Sequence, residues 1–296
     1  MSLASSAIRS RDAGRGLRDA DVVLAYALAL LLAAVCGRLL SDGQSRAFDA
    51  SAIAQLLAFN AGDALALAAM ASLALSGRAT LRLRGLDYAV LGVASLFFLP
   101  AAPQNLPFLG ATLAGLYFWL FRSDCRELVS LGQLWLAVSG YETWGRVFFR
   151  LVSVPVLRFE TAMITKAGQA LGLGLSAEGE LLRSPNGWSV YILEACSSFH
   201  NVSLAVLVWL SLLKLAGESV GRAKLAALAV GVGLIVALNV SRILLMTLSE
   251  TQYEFWHHGD GASVFSCLTL AAIALPTLRS MRRAGGKPAL ATPLSR

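Results

Sequence analysis

The sequence predicts an all-α integral membrane protein with about eight transmembrane helices. Three observations carry that expectation. Over 296 residues, 56% of the side chains are hydrophobic and only 15% are charged, with a mean hydropathy of +0.65. A water-soluble domain of this length carries about a quarter charged residues. The apolar residues are gathered into runs approaching 20 residues, the length that crosses a bilayer as a helix. Lastly, the 25 Lys and Arg residues lie mostly between those runs, so the net charge of +7 reads as a topology signal. No basic helix or aromatic-interleaved patch suits a nucleic acid, and none is expected as a partner.

Residues 1–21 form a polar arm with Arg9, Arg11, Arg15 and Arg18, read as a cytoplasmic extension of a retained anchor. The expected spans are 22–40, 53–75, 88–102, 106–121, 128–139, 193–213, 225–248 and 262–278. The fifth is short. Placing the N-terminus inside puts 17 of the 25 basic residues on the inner side, including the tail at 281–296. An even number of spans then puts the C-terminus inside as well. The segments group as N-terminal helices (22–139), an extracytoplasmic stretch (140–192) and a core of three spans (193–280).

The long connection at 140–192 is thereby external. It holds an amphipathic stretch over 148–173, in which Phe148, Leu151, Val154 and Leu157 recur near helical spacing. Residues 179–191 then read as two short strands around Pro185-Asn186-Gly187, because Asn-Gly is a strong two-residue hairpin signal. This hairpin delivers the chain to a polar cluster, Glu194-Ala-Cys196-Ser197-Ser198-Phe-His200, at the mouth of the sixth apolar run.

Polar groups at a membrane helix are costly and mark functional sites. Two later pieces reach the same outer face: Asn239-Val-Ser-Arg242 at the end of the seventh run, and His257-His258-Gly-Asp260-Gly261 before the eighth. Asn239 and Arg242 are three residues apart and share a helix face. A thiol, a guanidinium and an imidazole brought together there suit acyl transfer. Cysteine is the nucleophile, histidine moves the proton, and arginine steadies the developing oxyanion. His258, adjacent to His257, and His200, four residues from Cys196 and so one helical turn away on the same face, remain alternatives to His257. Asn60 and Asp63 share a face of the second run and fit helix pairing or transport. The four cysteines (Cys36, Cys125, Cys196, Cys267) have no metal-ligand spacing, adjacent histidines cannot easily share one metal, and neither metal nor cofactor is expected.

Glu194-Ala-Cys196-Ser, Asn239-x-x-Arg242 and His257-x-x-x-Gly261-x-x-x-Phe265 together resemble the exosortase/archaeosortase family. The likeness extends back through Leu171-Gly-Leu, Gly179 and the Asn186-Gly187 hairpin. It implies a membrane cysteine peptidase or transpeptidase of a prokaryotic cytoplasmic membrane, with its site facing outward. The implied substrates are exported proteins carrying a C-terminal hydrophobic helix and basic tail. Cys196, Arg242 and His257 take the catalytic positions, with Glu194, Ser197, Asn239 and Gly261 supporting them. Ser198 stands where the family usually has glycine, which marks a divergent branch. From another function class, the outer polar cluster and Asp63 also fit a transporter or scaffold subunit for envelope polysaccharide or protein export.

Overall fold

A computed structural model describes residues 18–36, 61–98 and 106–285 of the chain. Much of the polar arm, the start of the 53–75 run, the end of the 88–102 run and the end of the basic tail lie outside them, as does Asn60. The described fold is helical apart from one small sheet. In chain order the helices are α1 (Arg18–Cys36), α2 (Ala61–Ser76), α3 (Gly85–Ser95), α4 (Leu106–Phe121), α5 (Arg126–Ser139), α6 (Gly145–Ala170), α7 (Ser198–Leu215), α8 (Arg222–Met246), α9 (Glu250–His257) and α10 (Asp260–Gly285). Four of them, α1, α7, α8 and α10, contain stretches long and apolar enough to cross a membrane, while α2, α3 and α4 are apolar but shorter. Their outward sides are greasy: Leu113, Leu120 and Phe121 on α4, Val230 and Leu234 on α8, and Leu268 and Leu275 on α10 are all exposed. Such continuous apolar surface fits lipid and not water.

The chain divides into two compact units, residues 1–156 with 202–217, and residues 157–201 with 218–296. In the first, α4 and α5 cross where two glycines meet. A Cβ on Gly115 would lie 2.8 Å from the Gly132 carbonyl oxygen, and one on Gly132 2.7 Å from the Gly115 carbonyl oxygen. Only hydrogen allows the backbones so close, which is how helices without a water-driven hydrophobic force gain contact in a membrane. Tyr26, Phe118 and Trp135 pack edge-to-face beside the crossing.

One end of this unit is closed by a buried ionic knot. Arg122 pairs with Asp87 and with Asp124 (3.1 Å), and donates to the Arg82 carbonyl at 2.8 Å. Asp87 also accepts from the Tyr117 hydroxyl (2.8 Å), and Asp19 accepts from the Leu83 amide (3.0 Å) and the Tyr88 hydroxyl. Arg122, one of the basic residues counted toward topology above, is therefore also a structural centre.

Between the fifth run and the hairpin the structure differs from the sequence expectation. α5 does not stop at Gly140: a π-helical turn over Gly140–Trp144 carries it directly into α6. The amphipathic stretch is helical as expected, but it continues the fifth run without a break. Pro155 lies within α6 and does not end it.

The second unit holds an antiparallel sheet of three strands, β1 (Ser176–Glu178), β2 (Leu181–Arg183) and β3 (Ser189–Tyr191), in that spatial order. β1 was not expected. The β2–β3 loop is also wider than a two-residue turn. Ser184 donates to the Trp188 carbonyl at 2.8 Å, and Gly187 donates to Ser184 at 3.1 Å. Pro185 and Asn186 thus fill the central positions of a turn, and Gly187 follows at φ +85°, the left-handed conformation glycine adopts without strain.

Removing Asp87 takes from the buried Arg122 guanidinium its one buried carboxylate partner and leaves only the half-exposed Asp124, and breaking a buried pair from one side costs about 3–5 kcal/mol. Asp87→Ala should therefore lower the thermal unfolding midpoint in detergent sharply. The paired change Arg122→Met with Asp87→Leu should recover most of that loss.

Candidate functional site

The polar cluster belongs to the second unit, and its cysteine is not in a helix. Glu194–Cys196 form a single 3-10 turn, Ser197 is extended, and α7 begins at Ser198. The expected start of the sixth span, residue 193, is thus five residues too early. The turn closes on its own backbone, with Cys196 N donating to Leu193 O (2.9 Å) and Ser197 N to Glu194 O (3.1 Å). Ser197 Oγ then accepts from the Phe199 amide at 3.2 Å and satisfies one of the first amides of α7.

Two side chains from other elements hold this turn. Asn239 of α8 donates its amide to the Cys196 carbonyl at 2.9 Å, a fully buried bond. Glu160 of α6, 5% exposed, accepts from the Ser198 amide at 3.0 Å and from the Ser198 hydroxyl through the same oxygen, Oε1. Its second oxygen, Oε2, is buried with no hydrogen-bond partner. Ser198 is therefore tied down by its side chain where glycine could offer only its amide. Sequence reasoning passed over Glu160. It is an acidic residue in an otherwise largely apolar helix segment, and its partner lies 38 positions away.

Cys196 is 6% exposed, and its sulfur makes no hydrogen bond among the described residues. Arg242, one turn beyond Asn239 on α8, lies within electrostatic range of it. The shared face expected of Asn239 and Arg242 thus brings both toward the cysteine turn. The guanidinium is held by Nε donating to the Trp256 carbonyl (3.0 Å) and by the Phe265 ring, 4.6 Å from Cζ. Its two terminal nitrogens make no hydrogen bond among the described residues.

His257 closes α9, one residue after the carbonyl that holds Arg242. Tyr253 stacks flat on its ring at 4.9 Å with 12° between planes, and His258 Nε2 lies 3.0 Å from His257 Nδ1. No hydrogen bond joins either imidazole to Cys196. Burial first, then the charges of His258 and Arg242, push the His257 imidazole below its ordinary value of 6.5, against a pull upward from Glu254. His258 is exposed beside it. His200 lies in the first turn of α7 while Cys196 precedes that helix, so the two are not one turn apart on a shared helix face as the sequence suggested. Gly261 is needed for packing: a Cβ there would stand 2.8 Å from the Phe255 ring and carbonyl. Glu194 is exposed, and its carboxylate makes no hydrogen bond or ion pair among the described residues.

The hairpin is fastened to the same helix end. Trp188 Nε1 donates to the Met246 carbonyl (3.1 Å) and Asn186 Nδ2 to the Leu248 carbonyl (2.8 Å). Trp188 also meets Tyr253 edge-on at 6.0 Å, extending the aromatic row that ends in His257. In the first unit, Asp63 is buried on α2 beside a small cavity lined by Ala27, Leu30, Met70 and Val138. Among the described residues no cluster of His, Cys, Asp and Glu could hold a metal ion.

Removing either clamp leaves buried backbone groups unpaired, at about 1–3 kcal/mol each. Asn239→Ala and Glu160→Ala should both lower thermal stability in detergent and quicken maleimide alkylation of Cys196 as its turn loosens. Glu160→Gln keeps an acceptor for Ser198 and should fall closer to wild type on both measures.

Neither a curated protein nor a solved structure matches the chain. The transmembrane exosortase family does match, over residues 90–274. That match spans α4 to α8, the cysteine turn, Arg242 and His257, and covers well over half of the chain. The chain belongs to the transmembrane exosortase family.

Proposed function

We propose that this exosortase-family membrane protein cleaves the C-terminal sorting tail of exported proteins at the outer face of a prokaryotic cytoplasmic membrane, through a thioester on Cys196. The observation that carries the reading is the grouping at the cysteine turn: Asn239 fixes the Cys196 carbonyl, and Arg242, one turn on, stands in electrostatic range of the thiol. In the first step the thiol gives its proton to His257 and the sulfur attacks the carbonyl carbon of the scissile bond. Negative charge moves to the carbonyl oxygen, where the free guanidinium nitrogens of Arg242 stabilise it. Collapse of this intermediate breaks the C–N bond, and the departing amine takes the proton from His257. A second nucleophile, an amine or water, then attacks the thioester and restores the thiol. The uncommitted sulfur, the uncommitted guanidinium nitrogens and an imidazole pushed below its ordinary pKa support this division of labour.

C-terminal mass spectrometry of envelope and secreted proteins tests it, comparing the native host with a chromosomal Cys196→Ala strain. A set of proteins retaining a hydrophobic C-terminal helix and basic tail only in the mutant is the expected result. Unchanged tails, with the variant normally inserted, would sink the enzyme reading and favour a transport or scaffold role.

A second expectation concerns pH. A base whose folded pKa is depressed stays neutral until the pH falls below its ordinary value, so processing should hold at pH 7 and fail only below 6.5. His258→Gln removes one of the charges opposing protonation of His257, and the acid limb of the rate profile should move to higher pH. An unmoved limb would assign the titration to another group.

A further inference from the structure

We propose that the open edge of β3 is the docking strand for the substrate polypeptide, which adds to the sheet as an extended fourth strand and is thereby led to Cys196. The inference rests on the reading of Cys196 as the nucleophile and adds where and how the substrate is held. β3 pairs on one side only, with β2, in the register Leu181 to Tyr191, Leu182 to Val190 and Arg183 to Ser189. The flanking bonds, Ile192 N to Glu180 O and Ser184 N to Trp188 O, involve even-numbered residues of the β3 arm. Antiparallel alternation therefore turns the backbone of Val190 toward β2 and the N–H and C=O groups of Ser189 and Tyr191 toward the open side. Among the described residues no strand pairs with that side. Val190 is buried, while Ser189 and Tyr191 are exposed, and so is Leu193 beyond them.

Open edges are normally blunted by charge, proline or a covering element. The opposite edge follows that rule, since β1 ends in Glu178, whose carboxylate holds Arg183 of β2 at 2.7 Å. Ser189-Val190-Tyr191 carries neither charge nor proline. It is nevertheless well anchored. The Tyr191 hydroxyl donates to Glu180 (3.1 Å), and the hairpin is bolted by Asn186 and Trp188 to the end of α8. A fixed, unprotected edge is what strand addition requires, because main-chain hydrogen bonds supply affinity without demanding particular side chains.

The edge also aims correctly. From Tyr191 the chain runs extended to Leu193 and then makes the single 3-10 turn that ends at Cys196. At ~3.3 Å per extended residue and ~2 Å per residue of the turn, Cys196 lies at most about 13 Å from Tyr191. A peptide paired with Ser189 and Tyr191 thus has its scissile bond about four extended residues further on. Holding that bond in extended form also removes much of the entropy cost of attack.

Proline substitution tests the edge, since it deletes one outward N–H without touching the β2 ladder. Ser189→Pro should slow conversion of the precursor that accumulates in the Cys196→Ala strain by about tenfold, the cost of one good hydrogen bond. Ala177→Pro removes the outward N–H of β1 and should leave conversion unchanged. In parallel, a benzoylphenylalanine photo-crosslinker at Tyr191 in the Cys196→Ala background should capture that precursor, and one at Ala177 should not. This second arm decides the matter if Ser189→Pro fails to accumulate. Wild-type conversion by Ser189→Pro, an empty crosslink at Tyr191, or capture there of a second copy of this chain would each overturn the docking strand while leaving the thioester reading intact. If no precursor accumulates in the Cys196→Ala strain, both fall together.

Discussion

A single buried hydrogen bond, from the Asn239 side chain to the Cys196 carbonyl, sets the terms for the rest of the second unit. The cysteine ends a single 3-10 turn that satisfies its amide but leaves its carbonyl and the amides that follow without a ladder partner, and buried unpaired polar groups cost about 1–3 kcal/mol each. The chain meets that demand from three directions. Asn239 of α8 takes the Cys196 carbonyl, Glu160 of α6 takes the Ser198 amide and hydroxyl, and Ser197 takes the Phe199 amide. Once those bonds are made, the backbone around residue 196 has little freedom. The sulfur is left as the polarisable atom of the turn that has no hydrogen bond.

Two arginines in apolar surroundings show the same economy in opposite forms. Arg122 spends its guanidinium entirely on structure, on Asp87, Asp124 and the Arg82 carbonyl. Arg242 commits only Nε, to the Trp256 carbonyl, and rests its face on Phe265. The ring and the carbonyl offset part of the desolvation cost without neutralising the charge. In the proposed mechanism, a guanidinium whose terminal nitrogens are left open, on the helix face that also grips the cysteine turn, is oriented for an anion that forms later. Its anchor is the carbonyl next to His257, so the positions of the arginine and the imidazole are coupled through one peptide unit.

Much of this was legible in the sequence for a simple reason: helical periodicity is a local property. The apolar runs at 106–121 and 225–248 became helices, and the three-residue spacing of Asn239 and Arg242 placed both on one face. What was not legible depends on contacts between distant residues. Glu160 acquires meaning only when α6 brings it to Ser198. Gly140 reads as a terminator, yet a π turn absorbs it and α5 runs on into α6. The Asn186-Gly187 pair promised a two-residue turn, but Pro185 pre-sets the backbone one position earlier and shifts Asn186 to the second central position. The helical pairing of His200 with Cys196 assumed that the helix began before the cysteine. The carboxylate capping Ser198 and the hydroxyl of Ser197 instead start α7 two residues after it.

The hairpin explains why these parts need to be rigid together. Trp188 and Asn186 bind carbonyls at and just beyond the end of α8, and Trp188 touches Tyr253, which stacks on His257. The strand leading into the cysteine, the helix carrying the arginine and the ring of the histidine are thereby fixed to one another by contacts that do not pass through the sulfur. A displacement of 1 Å between attacking and stabilising groups can cost a hundredfold in rate. A site assembled from four separate elements avoids that loss only if they are cross-braced away from the reacting atoms. The braces here are hydrogen bonds to main-chain carbonyls, whose positions are set by the helices themselves. Under the proposed thioester mechanism, substrate can then approach the sulfur without breaking any bond that positions it.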